Sequence, residues 1–195
     1  MKKRVAILAL QGAFIEHEKI LQNLDVDTFE IRQRKDADTE FDALIVPGGE
    51  STTIGKILRD ECLMDVVRER IEKGLPVMGT CAGLILLARN VWESNGLQSE
   101  NPRIATMDIT VRRNAYGRQL GSFNAVETVA GVGDNVPMTF IRAPYIESVG
   151  NDVDILARVD GKIVAARQGK QLALSFHPEL DNDLRIHKYF LSMIN

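Results

Sequence analysis

The 195 residues are 45% hydrophobic and 26% charged, the make-up of a soluble globular chain that fits one domain over 1–195. A chain this long buries roughly 70% of its unfolded surface without disulfide or metal staples, which excludes disordered, collagen-like and disulfide-scaffold classes. Lys+Arg 24 against Asp+Glu 27 gives a net charge of −3, so the charge marks neither nucleic acid nor an anionic membrane as a partner. Two cysteines fit a reducing compartment, which points to the cytoplasm.

Met1-Lys2-Lys3-Arg4 before the apolar Val5–Leu10 imitates a secretory signal, but the run is shorter than a typical h-region of about 7–15 residues. Val5–Leu10 reads instead as a fully buried strand. His17, Ile20, Leu21 and Leu24 follow at helical spacing. Thr28–Ile31 and Ala43–Val46 are the next strands, the latter ended by Pro47-Gly48-Gly49. Leu63, Val66, Val67, Arg70 and Ile71 have helical spacing up to Gly74. Leu75–Met78 is a fourth strand, Gly79–Gly83 turns the chain, and Leu84–Ala88 continues as a helix. This βαβ rhythm predicts a largely parallel, doubly wound α/β sheet with helices on both faces.

The second half is mostly strand. Met107, Ile109 and Val111 alternate with polar residues, and Ser122–Val129 and Met138–Ile141 look alike. Ile155–Val159 and Lys162–Ala166 flank Asp160-Gly161, a two-residue hairpin signal. Gln171–Phe176 is another strand, and a helix runs over Asp183–Met193. No linker separates the halves, which predicts added antiparallel strands in one mixed sheet.

Gly79-Thr80-Cys81-Ala82-Gly83 lies between a buried strand and a helix. Small flanking residues permit a sharp turn that exposes Cys81 at its apex, a nucleophile elbow. The helix N-terminus favours a thiolate, and the Ala82 N–H is placed to donate to a developing oxyanion. His177 emerges at the end of the strand Gln171–Phe176. In extended backbone Glu179 falls on its side two residues on and orients the imidazole. His17, between Glu16 and Glu18, reads as a surface or interface imidazole, and His187 as a packed or partly exposed one. Cys62 reads as structural.

Gly48-Gly49-Glu50-Ser51-Thr52-Thr53 follows a buried strand, and Glu50 or Ser51 opens the next helix. Two uses fit: a phosphate cradle at a helix N-terminus, without a Walker lysine, or a second oxyanion donor with a substrate loop. Arg112, Arg113 and Arg118 crowd one turn-like segment, and Arg142 follows Phe140-Ile141. Arginine suits a carboxylate held bidentately.

Together these blocks resemble the class I glutamine amidotransferases: P-G-G after a strand, G-x-C-x-G at the elbow and H-P-E late in the chain. Ala9-Leu10-Gln11-Gly12-Ala13-Phe14, Gly48–Thr53, Arg113-Asn114-Ala115-Tyr116-Gly117-Arg118-Gln119 and His177-Pro178-Glu179-Leu180 are similar to the family of glutaminase subunits of pyridoxal 5'-phosphate synthase. The resemblance implies L-glutamine hydrolysis to glutamate and ammonia by Cys81, His177 and Glu179, with no cofactor or metal. It implies glutamine binding by Gly49, Glu50, Ser51, Arg113, Ile141 and Arg142. It implies an oxyanion hole from Gly48, Gly49 and Ala82, completed when a synthase subunit docks near Gln11 and receives the ammonia.

Overall fold

The computed structural model describes residues 2–113 and 121–194. Strands β1 (Arg4–Leu8), β2 (Asp27–Ile31), β3 (Ala43–Val46) and β4 (Val77–Thr80) alternate with helices α1 (Phe14–Asn23), α2 (Ser51–Asp60) and α3 (Met64–Glu72). After α4 (Ala82–Leu87) the chain is mostly strand: β5 (Ala88–Trp92), β6 (Met107–Arg112), β7 (Ser122–Val129), β8 (Gly133–Ile141), β9 (Tyr145–Val149), β10 (Asp154–Val159), β11 (Lys162–Gln168) and β12 (Gln171–Leu174). Helix α5 (Arg185–Leu191) follows.

The described residues build a ten-stranded sheet in the order β2-β1-β3-β4-β12-β11-β9-β6-β5, with β10 beside β11. Strands β2, β1, β3, β4 and β12 are parallel, and β12-β11, β11-β9 and β9-β6 are antiparallel. This is the expected mixed α/β sheet with one correction: β7 and β8 pair only with each other as a separate ribbon. That ribbon does not extend the sheet. It covers one sheet face, where Val129, Val136, Met138 and Phe140 join the core built on Val5, Ile7, Ala43, Ile45 and Met78. Alternate residues of the same strands, Ala6, Leu8, Leu44, Val46 and Val77, face a second core under α2, α3 and α4.

Several element bounds shift for local reasons. The fourth strand runs to Thr80, because Gly79 and Thr80 pair with Ala173 and Leu174 before the chain turns. Ala88 leaves the helix (φ −67°, ψ 135°) and pairs with Met107, so it opens a strand. Strand β9 escapes the sequence pattern because only Ile146 of its five residues is buried. The last helix spans only Arg185–Leu191. The Asp160-Gly161 turn has the two positive φ values, 49° and 77°, that a two-residue hairpin loop requires.

Two glycines fix the path around the fourth strand. A Cβ at Gly83 would lie 1.9 Å from the Val46 carbonyl oxygen, and one at Gly79 would lie 2.7 Å from the Gly83 backbone. Neither neighbour is a flexible side chain, so β3, β4 and α4 pack backbone to backbone. Gly83→Ala is therefore expected to lower unfolding free energy by about 1–3 kcal/mol or more, the range for forced overpacking. Urea denaturation reads this directly, and a wild-type midpoint would contradict the contact.

Candidate active site

The loops after β1, β3, β4 and β12 meet at the carboxyl edge of the parallel strands, where open α/β sheets bind ligands. They enclose a cavity of about 510 Å³ lined by Gln11, Gly48, Glu50, Cys81, Arg113 and His177, among others. A depression of about 520 Å³ at the amino ends of the strands is lined by Glu40, Asp42, Arg70, Lys73 and Lys170. It is lined by no cysteine or histidine, so chemistry rather than volume distinguishes the two.

Cys81 sits at φ 51°, ψ −99°, outside the conformations L-residues favour. Such a position costs of order 1–3 kcal/mol and persists only where its surroundings enforce it. Here the Cys81 N–H donates to the Leu174 carbonyl at 2.8 Å, and Gly79 and Gly83 allow the close packing on either side. The side chain is thereby driven out of the turn into the cavity. Helix α4 has only six residues, so its dipole is short, and the cationic partner available to the thiol is His177.

His177 is fixed at its backbone by an N–H bond to the Thr139 carbonyl at 2.8 Å, which ties the end of β12 to the β7-β8 ribbon. Its Nδ1 lies 2.6 Å from Glu179 Oε1. The backbone from Pro178 to Leu180 is a 3-10 turn, not the extended segment expected, yet the turn still folds Glu179 back under the ring. Burial works against a charged His177. Hydrogen bonds with Cys81 and Glu179, and the charges of both, outweigh it and raise its pKa to about 10. Burial likewise opposes the Glu179 carboxylate, and the neighbouring His17 and His177 hold its pKa below the usual value.

Gly48 packs against both groups: a Cβ there would lie 2.4 Å from His177 Cε1 and 3.5 Å from Cys81 Cβ. Ala82 is the buried first residue of α4, directly after the nucleophile candidate. Across the cavity, the Cys81 thiol points at the Ile141 carbonyl at 3.8 Å. Arg142 beside it has φ 45° and donates its N–H to the Gly121 carbonyl at 2.7 Å.

Glu50 caps α2, accepting from the Thr52 and Thr53 N–H groups at 3.0 and 2.7 Å and from the Thr53 hydroxyl at 2.7 Å. Burial would raise its pKa, but these bonds dominate and bring it to about 2. The cap disposes of the phosphate-cradle reading, because a carboxylate already occupies the N–H groups that a phosphate would need. Ser51 is the buried first residue of the helix. Gln11 Oε1 accepts the Glu50 N–H at 2.7 Å, and a Cβ at Gly49 would lie 2.4 Å from the same oxygen. Gln11 thus lines the cavity as well as the surface beside it.

Arg113 donates to Glu93 at 3.1 Å, to Thr52 Oγ1 at 3.2 Å and to Glu50 at 3.3 Å. Glu93 and Thr52 carry no signal for this role in the sequence. Asn114, Ala115, Tyr116, Gly117, Arg118 and Gln119 of the same motif lie outside the described residues. One expectation is corrected: His17 is fully buried on α1 and not a surface imidazole. His187 on α5 is fully buried, the packed alternative of its reading, and Cys62 is an exposed turn residue with φ 55°. The spacing of His17 with Ile20 and Leu21 is the signal for its burial, outweighing its two glutamate neighbours. No helix among the described residues is long and apolar enough to cross a membrane.

Comparison with known proteins gives the family and the fold. Residues 7–195 match the SNO glutamine amidotransferase family. The chain is 58% identical over 193 residues to "Pyridoxal 5'-phosphate synthase subunit PdxT" of Desulfitobacterium hafniense, covering 98% of this chain and 94% of that protein. It is 56% identical to the protein of the same name from Methanocorpusculum labreanum, with 98% and 97% covered. A solved "glutamine amidotransferase" superposes with a TM-score of 0.90 at 46% identity, covering 97% and 98% of the two chains.

The cap on α2 predicts a pH-dependent stability difference. Glu50→Ala is expected to cost about 1 kcal/mol at neutral pH. Because the folded carboxyl is depressed from 4.5 to about 2, the difference is complete above 4.5 and shrinks as the pH falls toward 2. Urea midpoints of the two chains across that range measure it, and a pH-independent gap would contradict the cap.

Proposed function

The chain belongs to the SNO glutamine amidotransferase family, and on that footing we propose that it is the glutaminase subunit of a pyridoxal 5'-phosphate synthase, with Cys81, His177 and Glu179 as its catalytic triad. The observation that carries the triad is the 2.6 Å contact between His177 and Glu179 in the same pocket as an elbow cysteine held at positive φ.

In this reading Cys81, paired with imidazolium His177, attacks the side-chain carboxamide carbon of L-glutamine. The Ala82 N–H and the Gly48-Gly49 loop donate to the oxyanion of the tetrahedral intermediate. His177 gives its proton to the departing nitrogen, ammonia leaves, and a γ-glutamyl thioester remains on Cys81. Water, deprotonated by His177, then releases glutamate. Glu179 holds the imidazole with its Nδ1 protonated throughout.

Gly49, Glu50, Ser51, Arg113, Ile141 and Arg142 bind the amino-acid end of glutamine. The paired Glu50 and Arg113, at the cavity wall, suit the ammonium and carboxylate of a zwitterion. Residues 1–195 act as one glutaminase domain in the cytoplasm, where its free thiols stay reduced. Ammonia passes to a synthase subunit that docks beside Gln11 and completes the oxyanion hole.

The test is glutamate release by the chain alone and with a synthase subunit. Release is expected to be weak alone, strong in the complex, and absent in the complex of Cys81→Ala. A raised His177 pKa keeps the imidazolium available through neutral pH and withdraws it above about 10, so kcat/KM in the complex should fall on an alkaline limb near that value. Full activity of Cys81→Ala would overturn the mechanism, and equal rates with and without the synthase would overturn the docking role.

A further inference from the structure

Behind the proposed triad runs a line of buried polar groups that the reaction does not use. His17 on α1 and His187 on α5 are both fully buried, and His17 Nδ1 lies 3.0 Å from His187 Nε2. The other nitrogen of His17, Nε2, lies 3.3 Å from Thr80 Oγ1 and 3.4 Å from Glu179 Oε2. The Glu179 side chain is itself fully buried, and its Oε1 is taken by His177. Among the described residues, Oε2 has no partner within ordinary hydrogen-bond geometry, and neither has His187 Nδ1.

These contacts point to where the protons lie. An ionised carboxylate only accepts, so its field favours a hydrogen on the His17 nitrogen that faces it. That makes His17 Nδ1 an acceptor, which requires a hydrogen on His187 Nε2 and leaves a lone pair on His187 Nδ1. The other end of the line gives the same result. A buried acceptor without a partner is tolerated more readily than an orphaned N–H, and His187 Nδ1 is the group without one. Burial lowers the pKa of both rings, so each is a neutral dipole, with Glu179, His177 and Glu16 as the charged groups around His17.

We propose that His17 is a positioning residue of the glutaminase reaction: its Nε2, hydrogen-bonded to Thr80 Oγ1, stands 3.4 Å from the outer oxygen of Glu179, and the field of its N–H favours the carboxylate whose inner oxygen is directed at His177. His187 fixes the tautomer of His17. Thr80 links the line to the elbow, since it precedes Cys81 in the chain. The proposal rests on the triad reading given above. Without His17, the buried carboxylate loses the polar neighbour that favours its charge, its anionic form is disfavoured, and its support for the His177 imidazolium weakens.

Two measurements test this. One is kcat and KM for glutamate release in the complex with the synthase subunit. The other is the pH profile of Cys81 alkylation by iodoacetamide, read by mass spectrometry in a Cys62→Ser chain. His17→Leu is expected to lower kcat about tenfold or more, the scale of one lost partner to a buried charged group, with KM within about twofold. Its alkylation profile should move to higher pH. His17→Gln, which returns an N–H near the place of Nε2, should restore most of both. Should the Leu chain not fold, His17→Asn, whose shorter amide does not reach Glu179, takes its place. Wild-type kcat and alkylation in the Leu or Asn chain would overturn the proposal, as would a Gln chain no better than the Leu or Asn chain. Failure of the wild-type complex to release glutamate would instead overturn the glutaminase reading, while the alkylation profiles would still report on the His17 line.

Discussion

Cys81 occupies a backbone conformation that no L-residue adopts without cost, and the pocket is built around holding it there. The turn between β4 and α4 closes only because Gly79 and Gly83 let three backbones touch, and the Cys81 N–H is anchored on β12. The same β12 delivers His177 a few residues later, and β3 delivers Gly48 against both side chains. Strained apex, proposed base and candidate oxyanion loop are thus neighbours because their strands are neighbours. A shift of any of these strands would move Cys81 relative to His177 and Gly48, which is how a rigid sheet provides preorganisation.

Two charge systems meet the cavity of that apex and differ in solvent access. The His177-Glu179 pair is buried, where a hydrogen-bonded ion pair strongly shifts pKa values. The Glu50-Arg113-Glu93 set is partly open to water, where each contact is individually modest. The division suits the proposed chemistry. Proton transfer needs a dry, oriented base, whereas a zwitterionic substrate needs charges that it can reach. Glu50 joins the two, because it caps α2 while Gly48, two residues before it, packs on His177 and Cys81.

Much of this was legible in the sequence because buried parallel strands leave short, continuous apolar runs. Val5–Leu10, Ala43–Val46, Leu75–Met78 and Gln171–Phe176 mark the four strands whose ends form the pocket. The residues following them are the ones the structure gathers at the cavity. What was not legible depends on tertiary packing. The β7-β8 ribbon has strand periodicity, but nothing local says that it leaves the main sheet. Glu93 reaches Arg113 only because β5 runs beside β6. His17 sits between two glutamates, and its burial follows from the face it shares with Ile20 and Leu21, a signal that the flanking charges mask.

The central claim is that Cys81, and no other group, is the nucleophile that meets the glutamine side chain. A glutamine analogue carrying an electrophilic ketone in place of the carboxamide tests it most directly. The assembled complex is treated with the analogue, and the labelled peptide is identified by mass spectrometry. The account predicts a single adduct on Cys81, formed in step with loss of glutamate release and prevented by excess glutamine. Loss of activity with Cys81 unlabelled and the adduct on Cys62 or another side chain would contradict it.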